Sequence, residues 1–201
     1  MIVIKKLNKK AKPPTPEVKI VLLGLTPGKQ QHIAINASTN ARSGAFKGYM
    51  RKQIYEWFKE LGLSKFLQLE NEDSLFQEER FTTSLFTTSL LREPVYCIKD
   101  GEEKNYTGRN PFPWKNEDLY TLMKKTLNTL ETLPPGTLIV PMGQIVSKAI
   151  QKYSDLDQKH FILHGFPHPS GANGHRGRQF EENKRNLKKI TKKFLSQTSP
   201  F

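Results

Sequence analysis

Short apolar runs alternate along the chain with longer stretches in which apolar residues recur every three or four positions. Residues 18–23, Val-Lys-Ile-Val-Leu-Leu, have the pattern of a buried strand stopped at Gly24. Residues 47–61 place Met50, Ile54, Trp57, Phe58 and Leu61 on one helical face, and Gly62 is the stop. Residues 69–80 are acidic and polar and predict a loop or short helix. The pentapeptide Phe-Thr-Thr-Ser-Leu then occurs twice in succession, at 81–85 and 86–90. It predicts a strand, with Phe81 and Phe86 on opposite faces because an odd repeat inverts the pleat.

Residues 99–115, rich in charge, Gly and Pro, predict a surface excursion. Asn116 is placed to cap a helix carrying Leu119, Leu122, Met123, Leu127 and Leu130. Pro134-Pro135-Gly136 turns into a strand at 137–140, and Ile145, Val146, Ala149, Ile150 and Tyr153 mark another helix. Residues 161–163 form a short strand, followed by a basic helix with Phe180, Leu187, Ile190 and Phe194 facing inward. Residues 1–17, Lys- and Pro-rich without a period, predict a flexible basic arm, leaving 18–201 as one domain. Strands alternating with helices predict an α/β fold: three layers, α/β/α, around a central, mainly parallel sheet. In such sheets ligands gather beyond the carboxyl ends of the strands.

Charge narrows the partner. Residues 1–30 carry seven Lys and one acid, and residues 159–201 carry nine Lys or Arg and two acids, so the two ends hold the whole net charge of +13. Concentrated basic charge favours a polyanion, nucleic acid first; Lys-rich ends can also serve solubility alone. No run of 18 apolar residues exists to span a membrane, and the apolar stretch before Lys5 is too short for a secretory signal. The single cysteine, Cys97, excludes an internal disulfide. His160, His164 and His175 lack metal-ligand spacing with Cys or acids, so neither metal nor cofactor is expected.

Two loops carry the candidate chemistry. Gly24-Leu25-Thr26-Pro27-Gly28 follows the first strand as a tight turn able to approach a ligand closely. His168-Pro169-Ser170 follows the last strand, then a flexible tip, Gly171-Ala172-Asn173-Gly174, then His175, Arg176 and Arg178. Together they resemble motifs A and B of the uracil-DNA glycosylase superfamily. Arg42-Ser43-Gly44-Ala45-Phe46-Lys47-Gly48 is similar to the family's segment whose aromatic ring stacks on the extruded base, and residues 81–85 occupy the place of its base-reading strand. Residues 138–143 look like its penultimate strand and turn. The resemblance spans roughly residues 18–195.

The resemblance implies extrusion of a damaged or deaminated base, uracil or related, from duplex or single-stranded DNA and hydrolysis of its N-glycosidic bond. It implies that Phe46 stacks on the base and Ser84 reads its edge, with Gly24, Leu25 and Pro27 around it. His168 would stabilise the leaving base, Thr26 would lie near the attacking water, and Ser170, Asn173, His175, Arg176 and Arg178 would hold DNA. Leu25 and Thr26 stand where most active members carry an acid or amide, and Ser84 where many carry Asn. Gln30, Gln31, His32 and Asn36 are alternative water ligands, and Phe46 could equally staple a helix. Two competing readings follow: a catalytically impaired nucleic-acid-binding module of the same fold, and a nucleoside or nucleotide hydrolase. A monomer, cytoplasmic or nucleoid-associated, is expected.

Overall fold

The structure, a computed structural model, describes residues 1–8, 13–38 and 41–198. In chain order it runs β1 (Ile2–Ile4), β2 (Ile20–Gly24), α1 (Lys29–Ala37), α2 (Ala41–Gly44), α3 (Tyr49–Leu61), α4 (Leu63–Phe66) and α5 (Ser74–Gln77). There follow β3 (Leu85–Ser89), the hairpin β4 (Val95–Lys99) and β5 (Glu102–Asn105), and α6 (Glu117–Glu131). The remainder is β6 (Leu138–Pro141), α7 (Gln144–Tyr153), α8 (Leu156–Lys159), β7 (Phe161–Ile162) and α9 (Arg176–Gln197).

The central sheet has the order β3-β2-β6-β7 with every pair parallel, as the α/β pattern predicts. Alternation along β2 divides the core. Ile20 and Leu22 pack with Trp57, Phe58, Phe180 and Phe194 on one face; Val21 and Leu23 pack with Leu119, Met123, Val146 and Ile150 on the other. These are the three layers, and truncating a fully buried member such as Phe58 to Ala would cost about 3–5 kcal/mol. Gly62 ends α3 in the left-handed conformation, and the Asn116 side chain accepts from the Leu119 N–H to cap α6. The chain leaves β2 towards β3 but leaves β6 towards β7, so the order reverses between β2 and β6. A crevice opens at the carboxyl ends of two such strands. Gly24 and Pro141 end them.

Three expectations change. Residues 2–4 are not a flexible arm: β1 pairs antiparallel with β4, the Lys5 N–H donates to Pro94 O, and the Leu7 N–H donates to the Glu93 carboxylate. The rest of the expected arm includes 9–12, which lie outside the described residues. The strand is the second pentapeptide, not the first. Phe81 closes a 3-10 turn over Glu79–Phe81, and pairing starts only where Ile20 meets Leu85, so tertiary register gives identical segments different structures. Phe81 and Phe86 still enter opposite cores. Finally, the excursion at 99–115 contains β5 and the buried Tyr106, whose hydroxyl donates to Pro111 O at 2.5 Å.

Candidate functional site

The site grows from the end of β2. Phe46 Cε1 and Ser89 Oγ each lie 3.5 Å from where a Cβ on Gly24 would stand, so motif A, the aromatic segment and the end of β3 meet at one point. Phe46 is buried and has a φ of 50°, a left-handed conformation costing an aromatic residue about 1–3 kcal/mol. Buried Arg51 holds it there: its guanidinium donates to the carbonyls of Ser43 and Ala45, pairs with Asp73 at 2.5 Å and lies over the Phe76 ring. Burial pushes the Arg51 pKa down, partly offset by Asp73.

Beside this junction is a cavity of about 100 Å³ lined by Leu7, Pro27, Gln31, Ile35, Ala45, Phe46, Thr87, Thr88, Ser89 and Arg92. That is space for several waters rather than one. Its walls carry Gln31 and Ile35 from α1 and the hydroxyls of Thr87, Thr88 and Ser89 on the β3 side. Arg92 Nε and Nη2 are buried without a hydrogen-bond partner among the described residues. A larger open groove of about 660 Å³ lies across the β1–β4 surface, by Met1, Ile4, Cys97 and Asp118, but holds no motif residue. The smaller cavity is the candidate site because Pro27, Phe46 and the end of β3 meet there.

Motif A divides between ligand and scaffold. Pro27 lines the cavity. Gly28 precedes α1, and Asn105 Oδ1 accepts from the Lys29 N–H. Leu25 packs against the core, and its carbonyl accepts from the Leu91 N–H. Thr26 departs from its expected role near the water. Its hydroxyl donates to Glu93 O at 2.9 Å and accepts from the Val95 N–H at 3.0 Å, which occupies its proton in stitching the turn to the β4 entrance. Ser84 also falls outside the cluster: it precedes β3, at the end opposite Gly24, and its hydroxyl donates to Arg80 O. Ser89, its copy five residues on, stands opposite Gly24 instead. Of the alternative water ligands only Gln31 lines the cavity; His32 Nδ1 lies 3.1 Å from the Tyr96 hydroxyl, and Asn36 accepts from the Asn8 N–H.

His168 stands on the other side of the crevice, outside the cavity lining. Its Cβ lies 3.3 Å from where a Cβ on Gly143 would be, and Gly143, at a φ of 95°, donates its N–H to Phe166 O. A side chain at 143 would push the histidine away and strain the turn. His168 Nδ1 accepts from the Ser170 N–H at 3.3 Å and lies 3.0 Å from the Ser170 hydroxyl. This network assigns the ring proton to Nε2. Burial lowers the pKa of His168, which favours the neutral ring.

The following loop is braced more than expected. Asn173 donates to His168 O and to Gln179 Oε1; Arg176 donates to Asn173 O and the Tyr49 hydroxyl and lies over the Tyr49 ring. These contacts shape the loop and tie it to α3. His175 and Arg178 are exposed, and Arg178 meets Glu182 only at 3.5 Å. Along α9, Arg185, Lys188, Lys189, Lys192 and Lys193 are exposed, continuing the basic surface.

One arrangement resembles a hydrolytic triad but is structural. Ser147 Oγ lies 2.6 Å from His164 Nδ1, and His164 Nε2 lies 2.7 Å from Asp157. Ser147 is buried within α7 and lines neither cavity, so the relay ties α7 to α8. Among the described residues no three His, Cys, Asp or Glu side chains converge as a metal site, and no helix is long and apolar enough to cross a membrane.

Comparison with known proteins gives three findings. No protein-family model matches the chain. It is 29% identical over 200 residues to the uncharacterized protein YoxB of Bacillus subtilis (strain 168), covering 90% of this chain and 75% of that protein. Its fold is similar to the crystal structure of wild-type Pedobacter heparinus SMUG2, with a TM-score of 0.43 and 17% identity, over 90% of this chain and 74% of the other. That likeness is too distant to assign any residue.

Proposed function

We propose that this chain is a DNA glycosylase of the uracil-DNA glycosylase type, receiving an extruded base in the cavity beside Phe46. The observation that carries the reading is the contact geometry around His168. Its Nδ1 is held as an acceptor by the Ser170 N–H, and its Nε2–H has no partner among the described residues. A neutral donor at the carboxyl end of the sheet is suited to a carbonyl oxygen that becomes negative as a base departs. The C1′–N bond breaks with its electron pair going to the base. Water then adds to the oxocarbenium carbon, and its proton passes to the departed base anion, leaving a C1′ hydroxyl and the neutral base. A fixed donor aimed at developing charge contributes on the order of 10²–10³ in rate. Gln31 is a lining residue able to orient the water, beside the hydroxyls of Thr87, Thr88 and Ser89. His175, Arg178 and the exposed face of α9 would bear on the DNA backbone.

A second reading has its own observation. Among the described residues no carboxylate lines the cavity, and the Thr26 proton is engaged, so none of these side chains is a strong base. A base-binding module would look the same. Duplex and single-stranded oligonucleotides carrying uracil, hypoxanthine or xanthine separate the two when assayed for abasic sites under single turnover. The glycosylase reading expects excision of at least one base, reduced about 10²-fold or more by His168→Ala. Tight binding with no excision of any base contradicts it and leaves the module.

A further inference from the structure

Arg92 has no assigned role in the reading above. It lines the cavity together with Phe46, Pro27 and Ser89, yet its Nε and Nη2 are buried with no acceptor among the described residues. Burial pushes its pKa down, with no compensating carboxylate among the described residues. An unmade hydrogen bond at a buried donor is costly, and a structural arginine has its carbonyls, as Arg51 does with Ser43 and Ala45. The two orphaned atoms carry the parallel N–H pair along one edge of the guanidinium. That pair matches two adjacent acceptors in one plane.

We infer that Arg92 is a base-reading residue and that the cavity takes a 6-oxopurine, hypoxanthine or xanthine, through the adjacent O6 and N7. This rests on the proposed glycosylase reading and names its substrate class. Arginine binds O6 and N7 of guanine bidentately, and the deaminated purines present the same pair. Adenine sets an amino donor beside N7 and repels the fork. Uracil places an N–H donor between its carbonyls, so no edge offers two neighbouring acceptors. A phosphate would also satisfy the fork, but Phe46, Pro27, Ile35 and Ala45 supply apolar walls suited to a planar ring. Guanine shares the edge and is held back by the greater cost of extruding a well-paired base.

The test uses the full chain, Arg92→Met and Arg92→Lys. Three measurements are made: single-turnover excision from oligonucleotides, calorimetric binding of free hypoxanthine, uracil and adenine, and the melting temperature. The inference expects hypoxanthine or xanthine excised at least about tenfold faster than uracil. Both variants lose at least about tenfold more on the purines than on uracil, with free hypoxanthine binding lost in parallel. Arg92→Met melts no lower than wild type, because it deletes unpaired donors. Preferred excision of uracil, an equal loss on every base, or a clearly lowered melting temperature overturns the inference while leaving the glycosylase reading intact. Arg92-dependent hypoxanthine binding without any excision does the reverse. Absence of both binding and excision overturns both.

Discussion

At the scale of single residues, the site depends on side chains whose neutral or charged state the fold dictates. His160 and His168 both titrate below the ordinary imidazole value of about 6.5 because burial disfavours the charged ring, with Lys159 adding to the effect at His160. Depressed folded values mean that the unfolded chain takes up protons first as pH falls. The stabilising contribution is therefore complete above about pH 6.5 and is lost as pH drops through the folded values. His160 has a second liability, since both ring nitrogens are buried and have no partner among the described residues. Thermal melts from pH 7.5 to 5 should show falling stability. His160→Phe should melt higher at every pH, by on the order of 1–3 kcal/mol, with a shallower acid slope. A wild-type melting temperature that does not change over that range contradicts this assignment. For His168 protonation has a further consequence: a proton on Nδ1 would face the Ser170 N–H and break the contact that holds the loop.

At the scale of elements, the cavity depends on how closely α1 and α2 approach. A Cβ on Gly44 would stand 2.6 Å from Ile35 Cα and 2.9 Å from Ala34 O, both backbone atoms that cannot swing aside. Gly44→Ala should separate the two helices, cost on the order of 1–3 kcal/mol and displace Phe46 two residues on. A lower melting temperature together with weaker oligonucleotide binding would bear this out; wild-type values in both would refute it. The same elements show what was readable in advance. α3, α6 and α9 were legible because each has an amphipathic stripe, and α3 and α6 also have a Gly stop or an Asn cap. α1 was not, since Lys29–Ala37 buries only Ile35 and takes its capping acceptor from Asn105, far along the chain. β1 and β5 were also hidden, being short, partly or wholly exposed, and defined by pairing with β4. Ser84 and Ser89 are locally indistinguishable, and only the register of β2 against β3 selects Ser89. Arg92 carried no pattern at all; that its buried Nε and Nη2 lack acceptors among the described residues is visible only in the fold.

At the scale of the whole molecule, a parallel sheet with one reversal of strand order brings the turns after β2 and β6 together, and the loop after β7 packs His168 on Gly143. α9 leaves that loop with its basic face outward, so a long stripe of exposed cations begins beside the crevice. This arrangement and charge are what the proposed reading requires, a base received in the crevice while the backbone of the nucleic acid stays on the surface. The most direct measurement is a crystal structure of the protein with a duplex carrying a 2′-fluoro-2′-deoxyinosine opposite thymine, whose fluorine slows cleavage. The account predicts the hypoxanthine ring unstacked and seated between Phe46 and Ser89 near Arg92. It also predicts His168 Nε2 directed at the base, residues 171–176 in the minor groove, and phosphates along Arg178 and α9. A duplex bound elsewhere, or an intact base stack over the crevice with the cavity untouched, would contradict it.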